Sequence, residues 1–294
     1  MNADRRNARL TVYKTRAGSY NDLLPNGVEI TDMRIRATIE KRLGGTPDAC
    51  TIIVSNLKEA TRVAFQEEDL KVILEAGYDG EYRRLFYGDL RWGASEKTPT
   101  GYETTLQVAD GARAFREAKA RRTFREGTTV RAGVAECALA MGLKLPRELE
   151  ISPELEEQFA NGLTLDGPAH QELSRLLAPY GYDWMIQDGV LYAYRDDQAQ
   201  TGQALVVSPD NGLLGTPVFA PPTFSAKKSK SARRSTTRSP RLDFRSFLYP
   251  QIVPGAKLKL DCLATRAMYK TIQVSHTIDT HGEDWFTAVE AKPV

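Results

Sequence analysis

Histidines and carboxylates near the carboxyl end are the side chains whose types could bind a metal or transfer protons. Five of them lie close together in the sequence, namely His276, Asp279, His281, Glu283 and Asp284. Such nitrogen and oxygen ligands could hold zinc. However, His276 falls within a predicted strand, and residues 279–284 have the composition of an exposed polar turn. We therefore expect no metal site and no cofactor, and we expect His170, near the start of a predicted helix, at the surface.

An acidic stretch around Pro153 offers a second kind of chemistry. It contains Glu148, Glu150, Glu154, Glu156 and Glu157. Paired carboxylates cleave glycosidic bonds, so a tail-associated hydrolase is one alternative. Nothing in the sequence places an acid opposite a base, and no Gly-x-Ser-x-Gly elbow, Walker-type loop or Gly-x-Gly-x-x-Gly motif occurs. A solvated acidic loop and helix start is favoured, and we expect no enzymatic activity.

A basic segment near residue 230 could contact phosphates. Its seven basic residues, with no acidic residue among them, are Lys227, Lys228, Lys230, Arg233, Arg234, Arg238 and Arg241. Without these seven, the net charge of +2 becomes −5. Clustered cations attract a phosphate backbone, but no aromatic residue is present for base stacking. The segment predicts a contact with DNA or with an acidic partner, or else a free loop over 225–241 that cannot bury enough surface to order itself.

Length and composition limit the class of protein. The 294 residues, 41% of them hydrophobic, are enough for two or three packed units. No apolar run reaches the length of about 18 residues that a membrane span needs, and no secretory signal is evident at the start. We therefore expect a soluble protein made in a cytoplasm. The spacing of Cys50, Cys137 and Cys262 indicates buried thiols rather than disulfides or zinc ligands.

The first third of the chain has the pattern of short strands. Apolar and polar residues alternate strictly over 33–40, which is typical of a half-buried strand. Further strands are predicted at 50–54, 70–74, 85–92 and 104–109, with a helical turn over 56–65 capped by Asn56. The predicted core consists of Met33, Ile35, Ile39, Ile52, Val54, Val72, Leu74, Leu106 and Val108.

The middle third combines helices with a hairpin. The basic run 113–125 precedes a helix predicted over 128–143. A second helix should begin at Asp166 as its N-cap, with Pro168 in the first turn, and end near Gly181. Asp188-Gly189 between two apolar runs predicts a β-hairpin over 184–192.

The last third returns to strands and contains a weak internal repeat. Strands are predicted at 205–208, 218–224, 242–248, 258–262, 268–278 and 285–291. Residues 70–76 align with 258–264, Tyr82-Arg83 with Tyr269-Lys270, and 103–108 with 286–291. Either amphipathic strands coincide by chance, or two related β-barrels flank the helical unit. In the second case the later barrel has Leu258, Leu260, Val274 and Val289 in its core.

Four segments together resemble the baseplate hub proteins of contractile-tailed phages and related contractile injection systems. They are 70–111, 168–194, 208–217 and 277–285. The resemblance, one of spacing and residue character over more than half the chain, implies a homotrimer with two tube-like β-barrels per chain. Such a trimer forms a pseudo-hexameric ring between a hexameric tail tube and a trimeric spike. The basic segment departs from this pattern, because a short turn is expected there.

The combined expectation is a mainly β chain with a small α+β unit. Residues 1–112 and 205–294 should form two tube-like β-barrels, the second with the basic loop, and 113–204 the middle domain. The resemblance implies a virion tail baseplate protein assembled in the bacterial cytoplasm. Its expected partners are further copies of itself, the tail tube protein, the central spike protein and other baseplate or tape-measure components, with transient DNA contact and no membrane insertion. The alternative is a nucleic-acid-binding protein acting through 227–241.

Overall fold

The fold was analysed in a computed structural model of the chain. It describes residues 6–16, 19–20, 22–195, 204–220 and 241–294. Within these ranges the chain is mainly β, as the sequence predicts. No helix in the described ranges is both long enough and apolar enough to cross a membrane.

Strands and helices are numbered here in chain order. Strands β1 to β19 are Arg6–Lys14, Val28–Ile30, Ile35–Arg42, Ala49–Ser55, Leu70–Tyr78, Arg83–Thr98, Gly101–Ala109, Lys119–Phe124, Thr128–Thr129, Gln158–Phe159, Leu163–Pro168, Tyr182–Gln187, Val190–Arg195, Leu205–Val207, Leu213–Ala220, Arg241–Phe247, Lys257–Asp261, Arg266–Asp279 and Trp285–Pro293. Helices α1 to α5 are Glu59–Ala64, Ala112–Glu117, Val130–Ala140, Arg147–Glu150 and Ala169–Leu177. Short 3-10 turns occupy Pro153–Glu156, Ala178–Tyr180 and Pro209–Asn211.

A 13-stranded sheet connects the two ends of the chain. Its order runs β15-β16-β19-β18-β3-β4-β7-β6-β5-β1-β2, and β17 and β14 branch from β18. The long strand β18 divides its pairing between two neighbours on one edge. Its first residues, 266–270, pair with β17, whereas residues 273–279 pair with β3. This fork at β18 joins the early strands to the late ones.

The same strand order occurs twice in this sheet. The first half contains β3-β4-β7-β6-β5, and the second contains β15-β16-β19-β18-β17, each ending in a three-strand antiparallel meander. The strand that follows each of these series in the sheet differs in direction. β1 is antiparallel to β5, whereas β14 is parallel to β17. The sequence alignment pairs Tyr82-Arg83 with Tyr269-Lys270, but these positions are not equivalent in the structure. The strand β6 begins at Arg83, whereas β18 begins at Arg266, before Tyr269.

Three clusters of buried apolar side chains lie along the chain. We call residues 6–109 the first β unit, 112–195 the middle unit, and 204–220 with 241–294 the second β unit. Each has its own cluster, and Leu248, Ile278 and Trp285 of the second β unit join the cluster of the first. The predicted core residues are buried as expected, except that Met33 is only partly buried. Cys50, Cys137 and Cys262 are free and buried.

Two predicted helix caps are wrong. Asp166 lies in β11 opposite Arg121, so its backbone belongs to a strand ladder, and α5 begins after Pro168. Asn56 adopts a left-handed conformation and its side chain accepts a hydrogen bond from the backbone N–H of Tyr102, while α1 begins after Lys58. Asn tolerates this conformation and serves a turn instead of a helix start.

Candidate functional site: sheet face and buried junction

Most of the predicted basic contact surface lies outside the described residues. This applies to Lys227, Lys228, Lys230, Arg233, Arg234 and Arg238. Arg241 is described: it begins β16, and its guanidinium pairs with the carboxylate of Glu290 on β19 at 2.5 Å. Arg241 therefore has a partner within its own sheet, and a role for the basic segment stays a prediction.

The histidines have separate partners. His276 is buried on β18, with its Nδ1 2.9 Å from the hydroxyl of Thr287, whereas His281 Nδ1 lies 2.9 Å from the hydroxyl of Thr280. The carboxylate of Asp279 accepts two hydrogen bonds from Arg34, at 3.0 and 2.6 Å. Across the described ranges, no group of three or more His, Cys, Asp or Glu side chains could hold a metal ion.

His170 differs from the sequence expectation of a surface position. It is half-buried, and its ring stacks on Phe115 with the ring centroids 4.0 Å apart. Burial lowers the pKa of His170 and favours the neutral ring. The helix α5 turns this side chain towards the apolar cluster of the middle unit.

Three carboxylates of the acidic stretch have local partners. Glu154 accepts from Ser152 at 2.5 Å, Glu156 pairs with Arg131, and Glu157 accepts from the hydroxyl of Tyr180 at 2.6 Å. All three glutamates are exposed.

A polar face of the large sheet crosses the fork at β18. One row of directly opposed residues on this face carries no charge, and runs Phe247, Phe286, Thr277, Thr38, Thr51, Gln107 and Trp92. Except at Trp92, the neighbours of these residues along each strand are buried, since side chains alternate across a strand. Along this row the two halves present hydroxyl, amide and aromatic groups, and charged residues such as Arg36, Glu40 and Glu103 lie beside it on the same face.

A strand at the edge of the sheet exposes apolar side chains. β15 pairs only with β16 within the described residues. Leu214, Val218 and Phe219 of this strand are 38, 62 and 48% exposed. An edge of this kind has free backbone donors and acceptors beside apolar surface, which suits contact with another chain.

A buried group of charges between the first β unit and the middle unit was missed at the level of sequence. It comprises the buried residues Lys41, Asp48, Lys71, Asp89 and Asp110, together with the partly buried Asp188. Lys41 continues the inward-facing series of Ile35, Ala37 and Ile39 on β3. The alternation of inward-facing residues predicts a buried position for Lys41 when the predicted strand is extended beyond Glu40.

Comparison with known proteins gives structural neighbours only. No protein-family model and no curated protein matches the chain. A tail protein of Neisseria meningitidis MC58 superposes with a TM-score of 0.60 at 12% identity, covering 97% of this chain and 96% of that one. The 43 kDa tail protein of prophage MuSo2 from Shewanella oneidensis gives 0.61 at 9% identity, with coverages of 97% and 98%.

A third neighbour belongs to a secretion machine. A type VI secretion system component of Escherichia coli, itself structurally similar to the T4 bacteriophage tail proteins gp27 and gp5, gives a TM-score of 0.56 at 12% identity over 90% of this chain and 74% of that one. At such identities the likeness shows a shared fold. The chain thus has the fold of tail proteins from phages and related devices.

Proposed function

We propose that the chain is a structural hub of a tail baseplate, acting as a homotrimer and not as an enzyme. The observation that carries this proposal is the strand order that occurs twice and is joined in one sheet by β18 and β3. Three copies would present six similar β units in a ring, which suits a junction between a sixfold tube and a threefold spike. The fold shared with phage tail proteins supports the same function.

The polar face and the edge strand β15 have separate roles in this proposal. The uncharged row on the polar face lines the conduit, since hydroxyl and amide groups offer passing DNA no ion pairs that would hold its phosphates. The exposed apolar residues of β15 contribute to contacts with neighbouring chains. Residues 1–112 and 205–294 form the two tube-like β-barrels, and 113–204 the middle domain, of a protein assembled in the bacterial cytoplasm and located in the virion tail.

Measurement of mass and symmetry tests the proposal. Light scattering of the purified chain at micromolar concentration should give about three times the 32.7 kDa of one chain, with interfaces above roughly 2,000 Å² per pair. Electron microscopy should show rings with six similar densities at one level and three at another. A stable monomer in both measurements would contradict the proposal.

Nucleic-acid binding through the basic segment is the alternative function. It predicts that the isolated chain binds DNA with an affinity that falls steeply with salt, because bound cations are released from the phosphates. A hub instead predicts trimerisation that hardly changes with salt. One salt titration can therefore distinguish the two functions, if the oligomeric mass and the DNA affinity are both measured at each salt concentration.

A further inference from the structure

The turn of the β12–β13 hairpin enters the buried edge of the first β unit. Lys41 Nζ, on a side chain only 2% exposed, donates to both carboxylate oxygens of Asp188 at 3.1 and 2.9 Å. The backbone N–H of Gly189 donates to Asp110 Oδ1 at 3.1 Å. Two adjacent residues of one turn are thus held by groups from two different strand ends.

Close packing fixes the position of this turn. A Cβ at Gly189 would lie 2.7 Å from Cε1 of Tyr87, and a Cβ at Gly111 would lie 2.9 Å from Cδ1 of Ile186. The first contact joins the middle unit to the first β unit, and the second joins the middle unit to the short connection between the two units. The hairpin therefore docks in one defined position, and its polar groups cannot move far to find other partners.

The carboxyl groups at this junction outnumber the cations. Lys41 pairs with Asp188, and Lys71 pairs with Asp89 at 2.6 Å. The remaining carboxyls are Asp48 and Asp110, 4% and 1% exposed. Asp48 Oδ1 accepts from the backbone N–H of Arg42 at 3.0 Å, and Asp110 Oδ2 has no partner among the described residues. An ionised carboxylate buried without a countercharge is costly.

We propose that this junction is a proton-binding site, in which protonated Asp48 and Asp110 keep the β12–β13 hairpin docked and loss of their protons releases it. Protonation leaves Lys41 free to pair with Asp188 alone. Ionisation of Asp110 places a second negative charge beside Asp188 within the same buried space. This inference is independent of the proposed function, since every group in it belongs to one chain.

Among the groups at this junction, these two carboxyls have raised pKa values. Burial, aided by the charge of Asp188 and opposed by Lys41, raises the pKa of Asp110 well above its usual range. Burial likewise raises the pKa of Asp48 to about 7, a value that includes the opposing hydrogen bond from the backbone N–H of Arg42 and the charges of Lys41 and Asp188.

The other titratable groups facing the junction stay neutral. Burial raises the pKa of Tyr87 on β6 to about 12, and it also raises the pKa of Tyr192 on β13. Burial, aided by Lys41, lowers the pKa of His276 on β18 to about 3. Burial also raises the pKa of the Cys50 thiol, which lies near Lys41, so this group stays neutral too. Further charges near the junction are Arg42 of β3, which lowers the pKa of Asp48, Arg84 of β6 near Tyr87, Glu148 near Tyr192, and the two ion pairs already described.

The direction of the pH effect follows from the raised pKa values. A carboxyl whose pKa is higher in the docked state than in the released state supports docking fully below its ordinary value near 4. That support is lost as the pH rises through about 7 for Asp48, and as it rises through the raised pKa of Asp110. The hairpin should therefore be docked in acid and loosened in mild alkali.

Hydrogen exchange of the full chain, followed by mass spectrometry from pH 6 to 9, tests the proposal. After correction for intrinsic exchange rates, the opening equilibrium constant of peptides covering 182–195 should increase above pH 7. The increase should be at most about tenfold per pH unit for each proton lost. Peptides from β16, which pairs with β15 and β19, provide the internal reference. A profile for 182–195 that stays flat and matches β16 overturns the proposal.

Asp110→Asn separates proton binding from other alkaline effects, because it keeps an oxygen for Gly189 and cannot ionise. The variant should show a reduced slope, and Asp48→Asn a smaller reduction. Asp166→Asn removes an exposed carboxyl in β11 and should match the unaltered chain. A slope unchanged in both Asp110→Asn and Asp48→Asn contradicts the proposal, and if Asp110→Asn fails to fold, Asp48→Asn and the unaltered profile decide.

Discussion

Among the described residues, three lysines are almost completely buried. Lys41 and Lys71 are 1% exposed and Lys270 is 2% exposed. Each ammonium has an oxygen partner, namely the carboxylates of Asp188 and Asp89 for the first two and the backbone carbonyl of Arg195 for Lys270. Since Lys is rarely buried without a partner, these contacts determine which strands and turns can lie next to one another.

Lys71→Met tests how much a buried ion pair contributes to stability. The substitution leaves the carboxylate of Asp89 buried without its cation, and we expect the free energy of unfolding to fall by about 3–5 kcal/mol. Lys71→Met combined with Asp89→Leu should recover much of this loss because no unpaired charge remains. Urea unfolding of the single and double variants measures both effects.

The matched control for that experiment is an exposed pair. Lys14 and Glu67 lie 2.8 Å apart with more than half of each side chain exposed. Lys14→Met should cost less than about 1 kcal/mol, as surface pairs do. Equal decreases in the free energy of unfolding for Lys71→Met and Lys14→Met would show that burial does not increase the contribution of the Lys71–Asp89 pair to stability.

At the scale of elements, the β12–β13 hairpin shows how a turn can anchor one unit to another. The Asp188-Gly189 sequence predicts the hairpin itself, because Asp-Gly suits the left-handed conformations that both residues adopt. Its docking partner could not be predicted in the same way. The contacts with Lys41, Tyr87 and Asp110 come from strands far away in sequence.

Gly189→Ala tests this close approach. Gly189 and Gly181 have similar positive φ angles of 76 and 72°, but only Gly189 faces a neighbour, the ring of Tyr87. Both alanine variants incur backbone strain of about 1–2 kcal/mol. Gly189→Ala should lose a further ~1–3 kcal/mol from overpacking, measured by thermal unfolding of the two variants. Similar losses in both would mean that Tyr87 moves aside freely.

Element type was easier to predict than element neighbours. Alternation over 33–40 correctly identified β3 and its inward residues, because one face is apolar throughout. The strand β1 was not predicted, although Leu10 and Val12 are buried, since charged residues surround its short apolar run. Asp166 was placed at a helix start because its pairing with Arg121 in β8 depends on tertiary contacts. Local sequence does not contain that information.

At the scale of the whole molecule, the basic segment is the part least explained by the fold. Changing Lys227, Lys228, Lys230, Arg233 and Arg234 to Ser should reduce particle assembly or DNA delivery, since it removes five positive charges from a segment without acids. Infectivity of particles carrying the variant measures the effect.

A matched variant removes the same charge elsewhere. Five exposed basic residues suit this purpose, namely Lys58, Arg83, Arg91, Lys97 and Lys144. Replacing them with Ser should leave delivery near its original level. Unchanged infectivity in the first variant would exclude both a DNA contact and an acidic partner for the segment.

The fork at β18 also orders events in time during synthesis. Arg34 and Asp279, which pair across it, are 245 residues apart. At about 5–20 residues per second, a ribosome needs ~12–50 s to make the second after the first. From the completion of residue 109 until residue 279 is made, β3 is an uncovered strand edge on a half that already contains most of its own core. Nascent chains on one messenger could pair through that edge, so slow elongation over residues 110–279 should favour aggregation.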